Sequence, residues 1–191
     1  MKEFILMVVL LSGPVLANEQ DNKAYAEEGE KAAIAVLKEL RSRLTEKMAV
    51  DLVGSVEYCH EKAIPLTQAS SSKSPQVIEV RRTSLRVRNP ANKPDAREIA
   101  MLKEWQKLEA AGKPLPSFAL EPVSENEIRY YRPLKIETMC LTCHGAPSGE
   151  LAKTIRTKYP QDKATGYKEG ELRGLIRVTL KPQKIATPNG L

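Results

Sequence analysis

The chain has 191 residues, 41% of them hydrophobic, with 30 Lys+Arg against 24 Asp+Glu and a net charge of +6. A chain this apolar and this modestly charged can bury enough surface to offset its conformational entropy, which excludes intrinsic disorder, while 10 Gly and 13 Pro exclude a collagen-like or linker sequence. Three cysteines are too few for a disulfide scaffold, and an odd number cannot all pair with one another.

Behind Met1-Lys2, Phe4 to Leu11 form a short apolar run that Ser12-Gly13-Pro14 interrupts before Val15-Leu16-Ala17. This pattern predicts a secretory signal peptide over 1–17 with cleavage after Ala17. The run falls well short of the roughly 20 apolar residues that span a bilayer. Export makes the mature chain, 18–191, periplasmic or secreted, with no membrane span after cleavage and no Cys at the new terminus to take a lipid. It also excludes nucleic acid as a partner. Residues 1–17 carry one Lys and one Glu, so the +6 charge survives cleavage and points to an acidic protein surface instead.

Ile34, Leu37, Leu40, Leu44 and Met48 recur at helical spacing in an Ala-, Glu- and Lys-rich stretch, predicting a long amphipathic helix over about 20–48. Leu52, Val56, Cys59 and Ala63 mark the inner face of a second helix, which Pro65 is expected to end. Val77 to Leu85 reads as a strand, and Asn89-Pro90 and Lys93-Pro94 as breaks that lead the chain into the next helix. Asp95 and Glu98 form a capping box for that helix, whose face is Ile99, Leu102, Trp105 and Leu108 and whose end lies near Gly112.

Lys113 to Pro116 reads as loop, Glu127 to Ile136 and Leu172 to Leu180 as strands, and Ser148 as the cap of a short helix through Leu151 and Ile155. Tyr130 and Tyr131 point to opposite faces of their strand, so one is expected inside and the other in solvent. Without an internal repeat or a composition break, the expectation is one α+β domain over 18–191.

The chemistry concentrates in Met139-Cys140-Leu141-Thr142-Cys143-His144-Gly145, which contains Cys-x-x-Cys-His. Two thiols three residues apart share one side of a helical turn, where they can form thioethers with the two vinyl groups of a haem. His144, next in the chain, is then placed to bind the iron. A zinc site would want a second pair of ligands, and only Cys59 and His60 remain. A thioredoxin-like motif would sit near a βαβ pattern, and a plain disulfide leaves His144 without a role. The expected cofactor is one haem c, covalent through Cys140 and Cys143.

The sixth iron position is open at this level. No Met or His follows His144, which leaves Cys59, His60, Met48, Met101 and Met139 upstream, the last too close to the attachment turn to reach the opposite side. Cys59 points inward on its helix and His60 is rotated about 100° away. A buried free cysteine is commonly no more than a small hydrophobe. An unpaired thiol in an oxidising compartment, however, is a liability unless buried or engaged.

Further motifs spread over the mature chain: Cys59 with Ala63 and Pro65, the stretch Arg81-Arg82-Thr83-Ser84-Leu85-Arg86-Val87-Arg88-Asn89-Pro90-Ala91-Asn92-Lys93-Pro94-Asp95, the Cys140 to Gly145 turn, and Tyr159 to Tyr167 followed by Gly170 and Arg173-Gly174. In these the chain resembles the PAS-like c-type haem family, found as stand-alone exported proteins and as the sensory part of bacterial and cyanobacterial signalling proteins. The resemblance implies a PAS-like antiparallel sheet flanked by helices, one covalent haem, His144 as one axial ligand and Cys59 as the other.

Within the arginine cluster, Arg81 and Arg82 are read as partners of the haem propionates, whose carboxylates a planar guanidinium matches. Arg86 and Arg88 are expected on a solvated strand face and turn. No carboxylate pair, Ser-His-Asp set or phosphate-binding glycine loop is present, so no enzymatic activity is expected. A His/Cys haem would have a low reduction potential and suit redox or gas sensing, with CO or NO as ligand and a separate signalling protein as receiver. The alternative is a periplasmic electron carrier docking a redox partner with an acidic surface.

Overall fold

Residues 19–69 and 74–182 are described by the computed structural model; the leader assigned to 1–17 lies outside them. Helix α1 (Glu19–Val50) is 32 residues long and contains no proline. Its buried residues are not those of the hydrophobic stripe read from the sequence. Tyr25, Ala33 and Val36 pack on the sheet, Ile34 is 47% exposed, and Leu37, Leu40, Leu44 and Met48 face a pocket further along. Small residues explain the difference. A Cβ at Gly29 would stand 2.2 Å from Cγ of Tyr130, so the helix makes its close approach to the sheet at a position that carries no hydrophobic signal.

Helix α2 (Gly54–Ala69) runs through Pro65 where the sequence predicted an end. The turn is held from outside the helical ladder: Thr67 Oγ1 donates to the Ala63 carbonyl at 2.7 Å, and the Arg82 guanidinium reaches the same oxygen at 3.4 Å. These bonds brace the turn beyond Pro65, whose missing N–H is the one the Glu61 carbonyl would accept.

The sheet contains β1 (Val77–Thr83), β2 (Ala119–Ser124), β3 (Glu127–Lys135) and β4 (Leu172–Leu180) in the order β1-β4-β3-β2, every neighbouring pair antiparallel. Strand β2 falls between the predicted loop at Lys113 to Pro116 and the predicted strand from Glu127, where the sequence assigned no element. Its Pro122 is tolerated because β2 lies at the sheet edge. Between β1 and β2, Asn89 caps a 3-10 turn over Pro90–Asn92, accepting from the Ala91 N–H. Helix α3 (Ala96–Ala110) then begins with the reciprocal capping box of Asp95 and Glu98.

Tyr130 and Tyr131 are both fully buried, contrary to the expectation that one would face solvent. The reason is that both sheet faces are covered. Tyr130 packs with Val80, Val178 and α1, and Tyr131 with Leu175 and the Leu102 and Trp105 side chains of α3. This α+β sandwich, with its long N-terminal helix, frames the pocket described next.

Candidate functional site

After β3, Ile136 exchanges backbone hydrogen bonds with the far end of the 136–171 excursion, donating to Glu171 O at 2.9 Å and accepting from Gly170 N at 2.8 Å. A 3-10 turn over Thr138–Cys140 passes directly into α4 (Leu141–His144), a single turn. Gly145 stops it: its N–H bonds to Leu141 O at 2.8 Å, and a Cβ there would lie 2.6 Å from the same oxygen. Cys140, Cys143 and His144 are therefore brought together on one rigid turn, packed from below by α5 (Gly149–Lys158).

His144 is fixed in orientation. Its Nδ1 lies 2.7 Å from the Ala164 carbonyl, which can only accept, so Nδ1 carries the proton and Nε2 keeps its lone pair. Burial, and the positive charges of Arg173 and Arg88, hold the imidazole pKa well below the usual histidine value, and the ring stays neutral.

Arg88, expected in solvent, is instead a strut of this site. Its guanidinium donates to Cys143 O at 2.7 Å, to Ala164 O at 3.1 Å and to Asp162 Oδ2, while Asp162 Oδ1 accepts from the Ala164 N–H at 2.8 Å. Arg88 and Asp162 form an ion pair at 3.0 Å with little exposure on either side chain. Arg86 is not solvated either: it donates to Lys163 O and Thr165 O and stacks 3.8 Å over the Tyr167 ring. The sequence missed both because β1 ends at Thr83, after which strand alternation no longer says where a side chain points.

The pocket lies between this turn and helices α1 and α2. Cys59 of α2 lines it together with Cys140, Cys143 and His144, and Leu37, Leu40, Leu44 and Met48 of α1 supply an apolar wall. Burial, then the neighbouring Cys143, pushes the Cys59 thiol pKa up. Of the other candidate ligands, Met139 lines the pocket, His60 is exposed with its ring 5.1 Å from that of Tyr159, and Met101 packs against the α3 cluster on the other sheet face.

The two arginines read as carboxylate partners separate. Arg82 lines the pocket, whereas Arg81 is absent from its wall and donates to Ala91 O and Lys93 O, bracing the 3-10 turn. Arg173, which the sequence marked only as part of a motif and gave no role, takes a place in the wall. Among the described residues, no three His, Cys, Asp or Glu side chains cluster closely enough to hold a metal ion by themselves.

A four-stranded antiparallel sheet covered on both faces, with a Cys-x-x-Cys-His turn closing a pocket at its end, defines the PAS-like class of haem-protein folds. The chain belongs to the Tll0287-like family, whose model matches residues 19–181. It is similar in fold to the crystal structure of the cyanobacterial heme-protein Tll0287, with a TM-score of 0.57 and 21% identity over 89% of this chain and 100% of that one. No curated protein matches the chain.

Proposed function

We propose that this chain is a haem protein that carries one haem c through thioethers to Cys140 and Cys143, takes His144 and Cys59 as axial ligands, and serves as a low-potential redox or gas sensor. The observation that carries this function is the convergence of the Cys140, Cys143 and His144 turn with Cys59 on one pocket. The residues present fit the group. His144 offers an unprotonated Nε2, the α1 leucines suit a flat apolar macrocycle, and the wall is cationic, as a ligand bearing carboxylates requires.

When bound, haem supplies a one-electron iron couple and a coordination position for small ligands. The chain's own residues do the rest. His144 is oriented by Ala164 O, and a Cys59 thiolate, as an anionic donor, favours the oxidised form and lowers the potential. CO or NO would compete with Cys59 in the reduced protein. This function assigns no enzymatic reaction. It places the protein in the periplasm or outside the cell, with a separate signalling protein as receiver. The +6 charge supports a second function, electron transfer to a partner with an acidic surface.

Absorption spectra of the ferric and ferrous protein, with redox titration, test both. Cys59→Ala is expected to shift the ferric spectrum and raise the potential; an unchanged spectrum would exclude the thiolate. Retention of colour by the protein after acid-acetone extraction, and its loss in Cys140→Ala/Cys143→Ala, checks covalent attachment. Rapid CO binding by the reduced form supports sensing, whereas inertness with a potential well above 0 mV supports the carrier.

A further inference from the structure

The pocket wall contains four guanidiniums, and they are not equivalent. Arg88 is neutralised by Asp162 and Arg41 by Glu137. Arg82 and Arg173, both half-buried, have no carboxylate within ion-pair distance among the described residues. Arg82 donates to two neutral oxygens, Thr67 Oγ1 at 3.1 Å and Ala63 O at 3.4 Å. Arg173 donates to Arg86 O at 3.1 Å, and its guanidinium carbon lies 5.5 Å from the Tyr167 ring centroid. A guanidinium has five N–H donors in a planar fork, so each retains donors beyond these contacts. Both line the same pocket, and burial pulls the pKa of both below the ordinary arginine value, with the charge of Arg173 adding to the effect on Arg82.

The backbone is shaped to produce this arrangement. On β4, Gly174 pairs with Leu134 and Leu172 with Lys135, which leaves Arg173 as the extra residue of a bulge. A bulge re-aims the side chain it carries, here into the pocket. On β1, Arg82 opposes Ile176 and points to the pocket side, whereas its neighbour Arg81 points away. Two uncompensated like charges held together beside a pocket cost stability unless a ligand brings the counter-charge.

We infer that Arg82 and Arg173 form a cradle for the two carboxylates of a single ligand, which, resting on the function proposed above, are the propionates of the haem. The planar fork of each arginine matches a carboxylate, and the pair divides the work that the sequence assigned to Arg81 and Arg82. Arg88 and Arg41 are excluded because Asp162 and Glu137 already occupy them.

The test titrates ferric haem and its dimethyl ester, which lacks both negative charges, into the full haem-free chain carrying Cys140→Ala and Cys143→Ala, so that binding is reversible; the unaltered haem-free chain is titrated in parallel. Haem is expected to bind about a hundredfold more tightly than the ester. Arg82→Gln combined with Arg173→Gln should abolish that preference, and lysine at both positions should restore part of it. Equal affinity for the two porphyrins, or a preference that survives the double glutamine variant, would overturn the cradle and leave the haem function standing. Failure of either chain to bind either porphyrin would overturn the haem function and the cradle with it. The comparison of porphyrins in the parent chain needs no arginine variant and is independent of how such variants fold.

Discussion

Arg88 and Asp162 show how much of this site depends on single side chains that lie outside the Cys-x-x-Cys-His motif. The pair is nearly enclosed and bonds the carbonyls of Cys143 and Ala164, the second of which also orients His144. Removing one partner of a buried ion pair leaves the other uncompensated, so Asp162→Asn is expected to cost about 3 kcal/mol in urea unfolding, far more than an exposed pair would. His144 supplies a pH-dependent prediction for the haem-free chain. Its folded pKa is depressed, while in the unfolded chain it stays near the ordinary value of about 6.5. The unfolded state therefore binds the extra proton, and this contribution to stability is fully present above about pH 6.5 and is lost as pH falls below it. Urea midpoints at stepped pH from 7.5 to 5.5 should show the decline, and His144→Gln should flatten it. At this scale the sequence revealed the residues whose spacing is itself chemistry, Cys140, Cys143 and His144. It displayed Arg173 and Arg88 within its motifs but not their roles, which come from a bulge and an irregular turn.

At the scale of elements, the legible features were those written in local chemistry. The Asp95 and Glu98 capping box forms as read, and β4 keeps its predicted bounds, because a cap and a β-branched run depend on near neighbours. The misread features depend on distant ones. Strand β2 exists because β3 offers it a ladder, and the turn of α2 beyond Pro65 is braced by Arg82 from β1. The face of α1 was misread because Gly29, Ala33 and Val36 make its closest approach to the sheet, while Leu37 and Leu40 are only partly buried against it. This reverses a familiar expectation. Glycine to alanine inside a helix ordinarily stabilises by about 1 kcal/mol, but Gly29→Ala would drive a methyl group into the Tyr130 ring. We expect a net loss of about 1–3 kcal/mol, read as a lower urea midpoint.

The whole molecule is unevenly built. The sheet is packed from both sides by the two larger apolar clusters, whereas the pocket is walled by two small ones, Val56 with Leu151, Ile155 and Tyr159, and Ile136 with Ala164 and Tyr167. Small clusters around charged groups open more readily than a doubly covered sheet. Hydrogen exchange in the haem-free chain is therefore expected to be slow in β1, β3 and β4 and fast over 138–170 and α2. Haem loading should slow the second set and leave the first unchanged. Equal protection throughout the haem-free chain would show that the pocket needs no ligand to hold its shape.

Strand β4 is the last described strand in the chain, yet it occupies an interior place in the sheet, between β1 and β3. Until residue 180 is available, β1 has no partner, because Val77 pairs with Leu180 and Thr83 with Leu175. The Cys140 to His144 turn thus emerges before the strand that completes the sheet. Arg173 and Gly174, at the head of that strand, complete the pocket late. Long-range pairings of this kind form slowly, because a large loop must close before they are rewarded. The order of assembly creates an interval in which both thiols of the turn are present in a still-open chain. A bulky macrocycle joined to Cys140 and Cys143 in that interval need not enter a finished cavity, since the fold would close around it.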